Sequence, residues 1–137
     1  MRKQISSGSV WESQIGYVRA VKVENRVYVS GTTAVGDDGN VVGENNAYQQ
    51  TQFIYQKIEN ALIQAGATRN HIVRSRIYLT CMEDWQEVGK AQSEFFADTL
   101  NPHLPKFTPA CTMVEVSKLI RPDLIVEIEV EAVILDY

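Results

Sequence analysis

The stretch IVEIEVEAVIL, residues 125–135, alternates Glu127, Glu129 and Glu131 with Val126, Ile128 and Val130. Successive side chains of an extended chain point to opposite faces, so the segment reads as a strand with an aliphatic row on one side and three carboxylates on the other. Such a strand needs a sheet with one buried face and one wet face, or a site that uses the charge. Glu127 comes first after the preceding loop, near the strand end where functional side chains gather. It is the candidate catalytic residue.

The remaining elements follow from the same periodicities. YVRAVKVENRVYVSGTTAV predicts a hairpin that turns at Glu24–Asn25, and GDDGNVVGENN predicts a loop. From Ala47, the apolar positions Ile54, Ile58, Ala61, Leu62 and Ala65 recur at steps of three and four. They predict a one-sided helix capped by Asn45 or Asn46 and stopped at Gly66. HIVRSRIYLT predicts a strand with Val73, Ser75, Ile77 and Leu79 on one face and Arg74, Arg76, Tyr78 and Thr80 on the other. Asp84 and Glu87 have capping-box spacing ahead of a second helix through Trp85, Val88, Gln92, Phe95 and Phe96 toward Leu100, which NPHLPKFTP breaks. ACTMVEVS and LIVEIEVEAVIL are the last strands, separated by a loop containing Pro122.

The order is ββαβαββ, and each helix has a single apolar stripe. The expected fold is a two-layer α/β sandwich, a mixed sheet with both helices on one face, in one domain over residues 1–137. The other face, with Tyr17, Tyr78 and aliphatic side chains, is expected to be buried by self-association. With the 72–80 strand beside the last one, Arg74 and Arg76 would face Glu129 and Glu131.

Composition narrows the functional classes. The formal charge of −4 and the lack of a basic stripe disfavour nucleic-acid binding. No apolar run approaches the ~20 residues that cross a bilayer. The start, MRKQISSGSVWESQ, runs into serines and a tryptophan where a signal peptide needs an apolar stretch, so a cytoplasmic location is expected. Cys81 and Cys111 are expected to be reduced thiols, and His71 and His103 surface residues. None of these has metal-ligand spacing. There is no glycine-rich phosphate loop leading into a helix and no nucleophile elbow.

The segments RVYVSGTTA, ALIQAGA, HIVRSRIYLT, DWQEVGKAQSEFF and PACTMVEVSKLIRPDLIVEIEVEAV, in this order across residues 14–134, resemble the RidA/YjgF family, also labelled endoribonuclease L-PSP. The resemblance implies a chorismate-mutase-like fold, a homotrimer and three clefts between subunits. It also implies, for the deaminase-type members, hydrolysis of enamines or imines to 2-keto acids and ammonia without a cofactor. In those members an arginine grips the substrate carboxylate, a glutamate positions water, and a tyrosine and a Ser-Gly pair line the pocket. The tyrosine matches Tyr17, the pair Ser30 and Gly31, and the glutamate Glu127. The arginine position holds Cys111, and an asparagine of the second helix falls on Gly89, so the chain resembles an arginine-less subgroup.

A thiol reproduces neither the fork nor the charge of a guanidinium. Losing one partner of a desolvated charge pair costs about 2–5 kcal/mol. Three readings follow. The first is a homotrimer that binds a small metabolite in its intersubunit clefts, with Glu127 assisting any hydrolysis. The second is an imine deaminase in which another arginine, Arg76 or Arg74, replaces the missing one. The third is the ribonuclease or translation-inhibitor role of the older label, which the acidic balance disfavours.

Overall fold

The computed structural model describes residues 1–97, 103 and 106–135. Among the described residues six strands form one sheet: β1 (Arg2–Ile5), β2 (Ala20–Val23), β3 (Arg26–Thr32), β4 (Ile72–Leu79), β5 (Ala110–Glu115) and β6 (Val126–Val133). Their spatial order is β1-β2-β3-β6-β4-β5, antiparallel throughout except for the parallel β4–β5 pair. The helices α2 (Ala47–Gln64) and α3 (Trp85–Ala97) pack on one face, and a short α1 (Val10–Ile15) precedes β2. The mixed sheet with two long helices matches the expected architecture. The N-terminal β1 and α1 are additions that no apolar periodicity announced.

The hairpin turns where expected, with Glu24 at φ 54° and its carboxylate accepting from the N-terminal ammonium at 2.7 Å. Asn46 caps α2 by accepting from the Gln49 N–H at 3.0 Å. Gly66 ends that helix at φ 83°, a conformation that costs glycine little. Ile54, Ile58, Ala61 and Leu62 are all buried and meet Val126, Ile128 and Val130 of β6 in one core. Tyr55 lies within it, its hydroxyl paired with Ser75 Oγ at 2.7 Å and with Gln92.

Several details differ from the sequence reading. A register shift between Ile72 and Arg74 puts Ile72 in the core and leaves Val73 43% exposed, because the extra residue of a bulge reverses the alternation. Asp84 ends a short 3-10 turn (Met82–Asp84) directly before α3, and Trp85 is exposed rather than on the packed stripe. The last part of the expected second helix, to Leu100, lies outside the described residues. His71 is not a surface residue. It is buried, accepting from the Thr68 N–H through Nδ1 at 2.9 Å and lying 3.2 Å from the Leu135 carbonyl through Nε2, which locks the α2–β4 connection.

Candidate functional site

The sheet face away from the helices carries the charge. Antiparallel register sets Tyr78, Arg76 and Arg74 of β4 opposite Glu127, Glu129 and Glu131 of β6. Arg74 and Arg76 both approach Glu131, at 3.6 and 3.7 Å, and Tyr78 donates its hydroxyl to Glu129. These pairs are roughly two-fifths exposed, where an ion pair contributes about 0–1 kcal/mol. The outer two carboxylates therefore have strand-to-strand partners. Glu127 has a different setting.

Between Val29 and Thr32 the pairing of β3 with β6 slips by one residue, so Ser30 and Gly31 form a bulge against the start of β6. Glu127 lies directly over Gly31: a Cβ added there would collide with the Glu127 carboxylate, coming within 3.0 Å of Cδ. Gly31→Ala is therefore expected to push the Glu127 side chain out of place while sparing the core. Any activity that depends on Glu127 should fall at least tenfold in that variant with little change in Tm; an unchanged rate would show that the close approach has no functional weight.

The bulge is pinned by a buried arginine. Arg19, immediately ahead of β2, is only 5% exposed. Its Nη1 donates to the Gly31 carbonyl at 2.7 Å and to Thr32 Oγ1 at 2.9 Å, and its Nη2 lies 3.4 Å from the Tyr17 hydroxyl. Its Nε is buried with no hydrogen-bond partner among the described residues. Ser30 donates its hydroxyl to the Val18 carbonyl at 2.7 Å, which ties the Tyr17–Arg19 segment to the bulge.

These residues open onto one cavity of about 980 Å³, lined by Tyr17, Arg19, Ser30, Gly31, Lys57 and Glu127 among others. Burial pushes the Glu127 carboxyl above its ordinary value, Arg19 partly offsets this, and Glu129 adds to it. Lys57 projects from α2, its Nζ donating to the Thr33 and Val35 carbonyls at 3.0 Å each. Glu12 of α1 is buried close by. Burial would raise its carboxyl, but hydrogen bonds from Ser7 and Ser6 and the charge of Arg19 hold it below its ordinary value.

Of the residues expected from the sequence, Tyr17, Ser30, Gly31 and Glu127 share this cavity. Arg76 and Cys111 do not line it. Arg76 is engaged with Glu131, and Cys111 pairs in register with Ser75, so it lies on the helix side, 3.6 Å from Gln92 Nε2 at the exposed β5 edge. Arg19 and Lys57 went unremarked in the sequence reading. Lys57 carried a usable signal: it falls three residues after Ile54 and four before Ala61, on the apolar ridge of the helix, where a charge is out of place. For Arg19 the only hint was a charged residue at the head of a hairpin strand.

Comparison with known proteins gives concordant results. The family model described as endoribonuclease L-PSP matches residues 9–134. An uncharacterised protein of Streptomyces coelicolor is 33% identical over 130 residues, 95% of this chain and 90% of that protein. A protein named 3-aminoacrylate deaminase RutC, from Acinetobacter baylyi, is 30% identical over 112 residues, 82% of each chain. The crystal structure of a YjgF-family member from Mycobacterium tuberculosis superposes with a TM-score of 0.81 at 42% identity, covering 98% of this chain and all of the other.

Proposed function

The chain belongs to the endoribonuclease L-PSP family, the family of YjgF and RidA, and from that membership we propose that it binds a small carboxylate-bearing imine or enamine and hydrolyses its C=N bond to a 2-keto acid and ammonia. The observation that carries the reading is the pairing, in one cavity, of a half-buried carboxylate at Glu127 with a buried guanidinium at Arg19. The likeness to a protein named as a deaminase supports the same reaction class.

The roles follow from the chemistry of each group. Nε and Nη2 make up the edge of a guanidinium that binds a carboxylate through two parallel N–H donors. In Arg19 that edge has only the long contact to Tyr17, because Nη1 is committed to the bulge. Arg19 therefore takes the part that the second sequence reading gave to Arg76. Glu127, its carboxyl raised above the ordinary value by burial, is suited to orient a water and accept its proton. Tyr17 closes one side of the cavity.

A homotrimer with its clefts at these cavities is part of the proposal, supported by the uncovered sheet face, where Tyr28, Val23 and Val114 stand about 40% exposed. The test is direct. An amino-acid oxidase or a serine or threonine dehydratase generates the imine in place, and keto-acid release is followed with and without the protein. Release is expected to accelerate in proportion to added protein. A flat response across imines of several small amino acids rejects the reading.

A further inference from the structure

We propose that Tyr78 is a positioning residue for Glu127, acting through Glu129: its hydroxyl anchors the second carboxylate of β6 and leaves the first as the proton acceptor of the cavity. The proposal rests on the reading of Glu127 as that acceptor. Register sets Tyr78 directly opposite Glu127, Arg76 opposite Glu129 and Arg74 opposite Glu131. The side chains of Tyr78 and Arg76 do not pair that way. Tyr78 passes Glu127 and donates to Glu129, and Arg76 passes Glu129 to approach Glu131 at 3.7 Å, where Arg74 also stands at 3.6 Å. Diagonal partners of this kind are within reach of long and aromatic side chains on a sheet face. The row thus leans one step along β6. Among the described residues Glu127, at the end of the row, is left without a hydrogen bond or ion pair from β4.

Glu127 and Glu129 both line the cavity, and two residues apart on one strand face their backbones are about 7 Å from each other. They differ in what holds them. Glu129 accepts from the Tyr78 hydroxyl, and a donor of that kind fixes a carboxylate and favours its charged form. Glu127 instead lies over the Gly31 bulge. Of two neighbouring carboxylates, the one without the donor is the one that takes up a proton.

The charges around the pair agree with this division. Burial is the largest influence that raises the Glu127 carboxyl, Arg19 from the segment before β2 opposes it, and Glu129 adds to it. The Tyr78 hydroxyl is held above its ordinary value by its bond to Glu129, by burial and by the charges of Glu129 and Glu127, against Arg76, so it stays a donor wherever Glu127 titrates. On the same face Glu131 is taken up by Arg74 and Arg76, with Tyr28 of β3 opposite it. Lys57 of α2, Asp37 of the loop after β3 and Arg121 of the loop before β6 line the cavity but are not among the charges that act on Glu127.

The experiment reads the Glu127 carboxyl in the full chain in two ways. One is the acid limb of the pH–rate profile with in-place imine generation, where the rate rises as Glu127 ionises. The other needs no substrate: a carbon NMR titration of protein labelled at the glutamate side-chain carboxyls, with Glu127→Gln to assign the signal. Glu129→Gln keeps the shape and removes the charge, so both midpoints should move to lower pH by about one pH unit. Tyr78→Phe keeps the ring and removes the donor, which frees Glu129 to meet Arg76, its register partner. Both midpoints should then move the same way, by about half a pH unit. The double variant should match Glu129→Gln alone, because Tyr78 acts through Glu129. A midpoint that stays in place in either single variant, or a Tyr78→Phe step of equal size with and without Glu129, overturns the proposal. A protein that hydrolyses no imine overturns the hydrolytic reading, and the titration then decides the proposal by itself.

Discussion

Glu127→Gln is expected to lose hydrolytic activity and to gain stability at neutral pH. Glutamine keeps the shape that fits over Gly31 but cannot accept a proton, and removing a positioned general base lowers rates by roughly 10²–10⁴-fold. The stability gain follows from the raised carboxyl. In the folded chain Glu127 holds its proton to a higher pH than the ordinary value of 4.5 it has when unfolded. Between the two values the folded state binds more protons, so the group's favourable contribution is complete below the unfolded value and is lost as pH rises through the folded one. Above the folded value the wild type carries an ionised, partly desolvated carboxylate, and the glutamine variant does not. Thermal melts of both proteins from pH 4 to pH 8 should show a Tm difference that opens as pH rises, in favour of the variant. Superimposable melts across that range, or keto-acid release at the wild-type rate, would contradict the place given to Glu127. A residue that costs stability and supplies chemistry is the pattern expected of a functional site.

Arg19→Met should have the second large effect, and on two properties together. The Gly31 carbonyl and the Thr32 hydroxyl lose their donor in a buried setting, which costs about 1–3 kcal/mol of stability. Glu127 also loses the positive charge that limits its upward shift, so the acid limb of the rate should move to higher pH. Affinity for a carboxylate ligand should fall about thirtyfold or more, the size expected when one partner of a desolvated charge pair is removed. Calorimetry with a small 2-keto acid measures this. Arg19→Lys keeps the charge without the fork and should recover part of the stability and little of the affinity. The contrasting variant is Arg76→Met, which touches only a two-fifths exposed pair with Glu131 and should change stability by less than about 1 kcal/mol. A ligand affinity that follows Arg76 and ignores Arg19 would reverse the assignment made here.

The relation between Arg19 and Arg76 shows how far a linear reading reaches. The alternation of 126–133 and of 72–79 correctly set Arg74 and Arg76 opposite the glutamates of β6, because register on a two-faced sheet is fixed by which residues must be buried. That same register commits Arg76 to a carboxylate, which the sequence offered as one of two outcomes. Arg19 stands 108 positions from Glu127 in the chain, and nothing periodic connects them. Their meeting depends on the β3 bulge, and a one-residue slip in pairing leaves no mark in composition beyond a serine and a glycine.

Matching of motifs set Cys111 at a ligand position of a cleft between subunits; within one chain it lies at the β5 edge, 3.6 Å from Gln92 Nε2. Val73 and Trp85 were assigned inward by period alone and point outward, one because of a bulge and one because a 3-10 turn resets the start of α3.

What the sequence determined by itself is the set of strands and long helices from β2 onward and the face each presents to the core, because hydrophobic burial acts on patterns of two and of 3.6 residues that are written locally. What only the tertiary structure decided is which charges meet: Arg19 near Glu127, Arg76 beside Glu131. Coulombic and hydrogen-bonding partners are chosen by distances of a few ångströms between residues far apart in the chain, and those distances exist only once bulges, turns and register have been fixed together.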